Sequence, residues 1–114
     1  LKLKTDLVTN SSSTAFIITN TSEQNLSLVD FIKENPELIE LFKQDYGYED
    51  NPEYTQEKLL ESAKNNDLEL KAGESRYCIF GDEQGTLVGH VFDYILRDGG
   101  ESKNFWWRFC EYLR

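Results

Sequence analysis

Short apolar runs separated by polar breaks organise the chain. Ala15-Phe16-Ile17-Ile18 is apolar throughout and is closed by Asn20-Thr21-Ser22, which predicts a buried strand at about 14–19. Arg76-Tyr77-Cys78-Ile79-Phe80 predicts a second strand, bounded by the Ala72-Gly73-Glu74 turn and the loop Gly81-Asp82-Glu83-Gln84-Gly85. Between them the spacing turns helical. Ser27-Leu28-Val29-Asp30 carries a capping signal, in which the Ser27 hydroxyl accepts from the Asp30 N–H. Leu28, Phe31 and Ile32 follow as a stripe. Asn35-Pro36 restarts the pattern, with Asn35 expected to cap and Pro36 to take the first helical position. Leu38, Ile39, Phe42 and Tyr46 then recur, so 27–46 reads as one bent helix or two consecutive ones. Thr55 opens a third helical piece with Leu59, Leu60 and Ala63 inside. Leu68 and Leu70 suggest a short edge strand.

Thr86 caps the clearest helix. Leu87, Val88, Val91, Phe92, Ile95 and Leu96 form its apolar stripe, Asp93 and Arg97 are expected as a pair on its outer side, and Gly99-Gly100 stops it. In the C-terminal segment, four of the five residues 105–109 are aromatic, which favours strand over helix. A strand puts Phe105, Trp107, Phe109 and Leu113 on one face and Trp106, Cys110 and Tyr112 on the other. The expected fold is α+β: a small three- to four-stranded sheet packed on one face against about three helices, in the order β-α-α-β-α-β. Its expected core centres on Phe16, Ile18, Phe31, Leu38, Phe42, Cys78, Phe80, Val88, Phe92 and Ile95.

The 114 residues suit one domain spanning 1–114, and no apolar run approaches the ~20 residues of a membrane span. The formal charge is −9, unevenly placed. Residues 23–83 hold 6 basic and 16 acidic residues, whereas 84–114 hold four of each. Such acidity repels phosphate backbones and argues against nucleic-acid binding. Cys78, Cys110 and His90 are too few for a Cys/His zinc site, and no cofactor motif is present, so neither a metal nor a cofactor is expected. Two cysteines and the absence of an apolar leader in Leu1–Asp6 predict a reducing cytoplasm.

The stretch Lys2-Leu3-Lys4-Thr5-Asp6-Leu7-Val8-Thr9-Asn10-Ser11-Ser12-Ser13-Thr14-Ala15-Phe16 resembles an N-terminal signature of uncharacterised bacterial and archaeal proteins, roughly K-x-x-x-D-F-V-T-N-S-S-S-S-S-F. Leu7 replaces its Phe, and Thr14-Ala15 replaces two Ser. The resemblance implies a prokaryotic cytosolic protein and brings no activity or site residue with it.

Candidate chemistry is sparse. The Ser/Thr run 9–14 precedes a strand and lacks Gly and Lys, so it reads as a hydrogen-bonded turn rather than a phosphate loop. Cys78 with His90 and Asp93 has the residue types of a thiol triad, but a mid-strand cysteine suits an inert core thiol, and His90 lies opposite the apolar stripe. Asp82 and Glu83 offer a cation too few oxygens. The expected function is therefore a small acidic interaction or accessory domain without catalysis. A DNA-mimic inhibitor from a mobile element is the first alternative, and a thiol enzyme using Cys78 and His90 the second. Large rings crowd 104–113, which predicts docking to a protein partner or self-association through Trp106, Trp107 and Tyr112.

Overall fold

The computed structural model describes residues 13–65, 68–81 and 85–113. Its elements are β1 (Ser13–Asn20), β2 (Leu26–Ser27), α1 (Leu28–Glu34), α2 (Glu37–Tyr46), α3 (Gln56–Asn65), β3 (Glu69–Leu70), β4 (Ser75–Gly81), α4 (Leu87–Ile95), β5 (Gly100–Glu101) and β6 (Phe105–Leu113). The α+β class holds. Four strands form an antiparallel sheet in the order β4-β1-β6-β5, with β1 central and paired to both β4 and β6. Leu70 does not extend this sheet: β3 pairs with β2 in a separate two-stranded ribbon. Among the described residues, no helix is long and apolar enough to cross a membrane.

All helices lie on one side of the main sheet. Helix α4 rests on β4 and β1, while α1 sends Phe31 to Phe105 and Trp107 of β6. Helices α2 and α3 pack chiefly on α1 and α4. Of the ten expected core residues nine are buried, and Ile95 packs half-buried at the margin. Gly100 faces Trp107 across the β5–β6 pair, where a Cβ would come within 2.5 Å of the indole, so only glycine fits.

Local chemistry explains the joints. Ser27 and Asp30 form the expected capping box at α1. Asn35, however, does not cap α2. Its side-chain amide donates to the Phe31 carbonyl and the Ser102 hydroxyl, so it closes α1 and reaches the β5–β6 turn, while Pro36 opens α2 without a side-chain cap. Asp93 is also not on an outer face. It is buried and accepts from the Thr14 hydroxyl of β1, with Arg97 beside it at 3.4 Å. A buried carboxylate with a hydroxyl donor and a guanidinium is compensated, so polar character alone misplaces it. Asn20, fully buried, ties the end of β1 to the carbonyls of Gln24, Leu70 and Lys71.

Glu34 fastens the β5–β6 turn. Its carboxylate accepts from the Ser102 hydroxyl and from the backbone and side-chain N–H groups of Asn104, the latter two at 2.8 Å. Partial burial pushes its pKa up, but these donors and the nearby Lys103 charge outweigh that, and the carboxyl ends below its ordinary value of 4.5. A lowered folded-state pKa stabilises the fold above the unfolded-state value, and that contribution is lost as pH falls through the folded-state value. Urea unfolding across pH should therefore show a shallower acid loss for Glu34→Gln than for wild type, and superimposable acid limbs would contradict the clamp. Phe92 meets Phe31 at 5.6 Å and Phe80 at 5.3 Å. Phe92→Ala should cost about 3–5 kcal/mol in the same assay, and a loss under about 1 kcal/mol would refute its central place.

Candidate functional site

Among the described residues the helices pack on one side of the sheet, and its other face is exposed around a buried Ala15. Alternation along β1 sends Phe16 and Ile18 inward and Ala15, Ile17 and Thr19 outward. Cross-strand partners share a face, so Tyr77 and Ile79 of β4 join Ile17 and Ala15, and Trp106 of β6 joins Thr19. Tyr77, Ile79 and Trp106 are 50%, 42% and 45% exposed, which is high for side chains of this size. Three strands of about seven residues make a face roughly 14 Å by 23 Å. Across the four strands it bears three charged side chains, Arg108 and Glu111 of β6 and Glu101 of β5, the last opposite Trp106. Arg108 lies over the Trp106 ring at 5.8 Å, and Glu111 accepts from the Tyr77 hydroxyl at 2.9 Å. That hydrogen bond holds the Tyr77 phenol above its ordinary pKa.

The structure separates the three expected interface residues. Trp106 lies on the open face. Trp107 is corrected: it is buried against Phe31 at 5.1 Å and contributes to the core. Tyr112 is exposed but lies on the helix side. The reason is a β-bulge: β1 pairs Ala15 with Glu111 and Phe16 with Phe109, so Cys110 is the extra residue on β6. Beyond it the alternation flips. Tyr112 pairs with Thr14 on the helix side, packs on Phe109 at 4.8 Å and lies under the Arg97 guanidinium at 5.1 Å. Leu113 correspondingly moves to the open face. Sequence reading missed Ile17, Tyr77 and Ile79 as members of that face. The available signal was that β1 and β4 are apolar on both alternating sets, the mark of a strand covered on two sides.

The thiol candidates belong to different layers. Cys78 sits in the sheet, donates to the Arg76 carbonyl, and is pushed up to about 11 by burial, against a smaller opposing pull from Arg76. His90 packs among Phe42, Tyr46 and Tyr54, from α2 and the loop after it. It also borders a cavity of about 640 Å³ between α3 and the start of α4, shared with Glu53, Tyr54, Lys58, Glu61 and Ser62. Among the described residues no group of three or more His, Cys, Asp or Glu is placed to hold a metal ion. Asp82, Glu83 and residues 9–12 of the Ser/Thr run lie outside the described residues; Ser13 and Thr14 begin β1.

Compared with protein-family models, with curated proteins and with solved structures, the chain matches none significantly. The raised, buried thiol gives a direct check. Peptide mapping after iodoacetamide at neutral pH should find Cys78 unmodified in the folded chain and labelled in urea, because the thiolate is the reactive form. Rapid native labelling at Cys78 would reopen thiol chemistry.

Proposed function

We propose that the chain is a small acidic protein-interaction module, without catalytic activity, that pairs with a second copy of itself through the open sheet face. The observation that carries this reading is the contrast between that face and the rest of the chain. The chain bears −9, yet the exposed rings and aliphatics of the face lie among only Arg108, Glu111 and, on β5, Glu101, so little of that charge opposes the approach of two copies there. In a two-fold, self-complementary contact, Arg108 of one copy can meet Glu111 of the other. Both side chains already engage Tyr77 or Trp106, which lowers the cost of covering them.

The extent of the face argues for a weak, concentration-dependent dimer. Roughly 300 Å² in projection, charged positions included, matches the largest patch of an ordinary monomer and lies below the ~800 Å² per partner of a standard interface. The acidic helix layer repels phosphate, so nucleic acid is not the partner. Two free cysteines suit a cytoplasmic location.

Size exclusion with light scattering, run across about 10–200 µM, tests the reading. Wild type should shift from monomer toward dimer with concentration. Trp106→Lys should remain a folded monomer, since it replaces an exposed ring of the contact with a charge, and Trp106→Phe should retain most of the dimer. A wild-type monomer over the whole range would refute self-pairing, and so would a dimer unaffected by Trp106→Lys.

A further inference from the structure

On the opposite side of the molecule from the open sheet face, the end of α2 and the loop after it carry a column of tyrosines. Tyr46 stacks on Tyr48 with centroids 5.7 Å apart and planes within 13°, and Tyr48 stacks on Tyr54 at 4.6 Å and 15°. Phe42 backs all three rings, and His90 packs against Tyr46 and Tyr54. The loop is held in shape. Gly47 takes the left-handed conformation that ends α2, and the Tyr48 N–H returns to the Lys43 carbonyl. The Asn51 side chain accepts from the Glu53 N–H, and the Tyr54 N–H donates to the Asn51 carbonyl. Tyr46, at one end of the column, is 45% exposed. Tyr54, at the other, walls the cavity of about 640 Å³ that continues between α3 and α4. Ring faces and cavity therefore form one preformed surface.

Its electrostatics select the occupant. Asp45, Glu49, Asp50 and Glu53 are exposed along the same stretch of chain, with no basic residue in 45–54 and the nearest one before it, Lys43, set against Glu40 at 3.5 Å. Glu61 adds a further acid at the cavity, opposed there by Lys58. Tyrosine faces carry negative quadrupole potential and attract cations, and a guanidinium both stacks on such rings and pairs with carboxylates. We infer that the exposed Tyr46 end of the column, with the acidic loop and the cavity at Tyr54, docks an arginine-rich basic segment of another protein, with a guanidinium on the exposed Tyr46 ring and the loop carboxylates as counter-charges. Among the described residues no group of three or more His, Cys, Asp or Glu is placed to hold a metal ion, and the acidity excludes phosphate-bearing partners. A dimer formed through the sheet face leaves this surface uncovered, so the two contacts are independent.

Anisotropy titration of a fluorescein-labelled oligo-arginine peptide with the full chain tests this. Wild type should bind saturably, and Tyr46→Leu, which keeps the net charge, should weaken binding about five-fold, matching roughly 1 kcal/mol for one exposed cation–ring contact. Tyr46→Phe should restore it. The loop variant Glu49→Gln/Asp50→Asn/Glu53→Gln should weaken binding at least ten-fold, whereas Glu23→Gln/Glu69→Gln/Asp98→Asn, the same charge change elsewhere, should stay within about two-fold. Unchanged circular dichroism certifies each variant as folded. Absence of saturable wild-type binding would overturn the inference. So would equal losses in the two charge variants, or wild-type affinity in Tyr46→Leu, either of which means adsorption to net charge alone.

Discussion

Edge-to-face packing around Phe31 joins the two layers of this fold. Its ring, fully buried, meets Phe92 of α4 at 5.6 Å and Phe105 and Trp107 of β6 at 5.1 Å each, all within a few degrees of perpendicular. Such geometry sets the positive edge of one ring against the negative face of another and adds about 0.5–1.5 kcal/mol per pair beyond area burial. One side chain on a seven-residue helix thus fixes α1 against α4 and against the sheet. Phe92 passes the contact on to Phe80 of β4. The capping box at Ser27, Asn35 at the far end of α1 and the Glu34 clamp on the β5–β6 turn all hold the short helix that carries Phe31.

The open face of the sheet follows from that arrangement. Large rings of β6 that point to the helices are consumed by Phe31 and by the close approach of Gly100, and the rings that point away have no second layer. Among the described residues, β1 and β4, apolar on both alternating sets, and Trp106 of β6 therefore leave Tyr77, Ile79 and Trp106 exposed beside a half-buried Ile17. The bulge at Cys110 then removes Tyr112 from this face and places it opposite Thr14 and under Arg97, on the helix side. The face is thereby a sparsely charged patch, holding Arg108, Glu111 and Glu101, on an acidic molecule.

Elements governed by local pattern were legible in the sequence. The strands around Phe16, Cys78 and Trp107, the Thr86 cap and the stripe of α4 all depend on period and on capping chemistry, which a single chain displays. What escaped depends on partners distant in sequence. Asn35 has the right type to cap α2, but Ser102 and the Phe31 carbonyl hold it in another orientation. Asp93 reads as a surface acid until Thr14, 79 residues away, is seen to donate to it. The bulge at Cys110 is set by register with β1, so nothing in 105–113 announces it, and the faces of Tyr112 and Leu113 invert. Trp107 was assigned to the interface because ring crowding is visible in sequence, whereas the capacity of Phe31 and Gly100 to absorb one ring is not. The stacking of Tyr46, Tyr48 and Tyr54 was likewise hidden, although three tyrosines in nine residues were in plain view.

The central claim is that the uncovered sheet face is completed by a second copy of the chain. An isotope-filtered nuclear Overhauser experiment on an equal mixture of labelled and unlabelled protein, at about 1 mM, addresses it most directly by reporting only contacts between copies. The account predicts cross-peaks from the Trp106 indole of one copy to the Ile17 and Ile79 methyl groups of the other. Absence of intermolecular cross-peaks, or their appearance at Leu41 and Tyr46 of α2 instead, would contradict it.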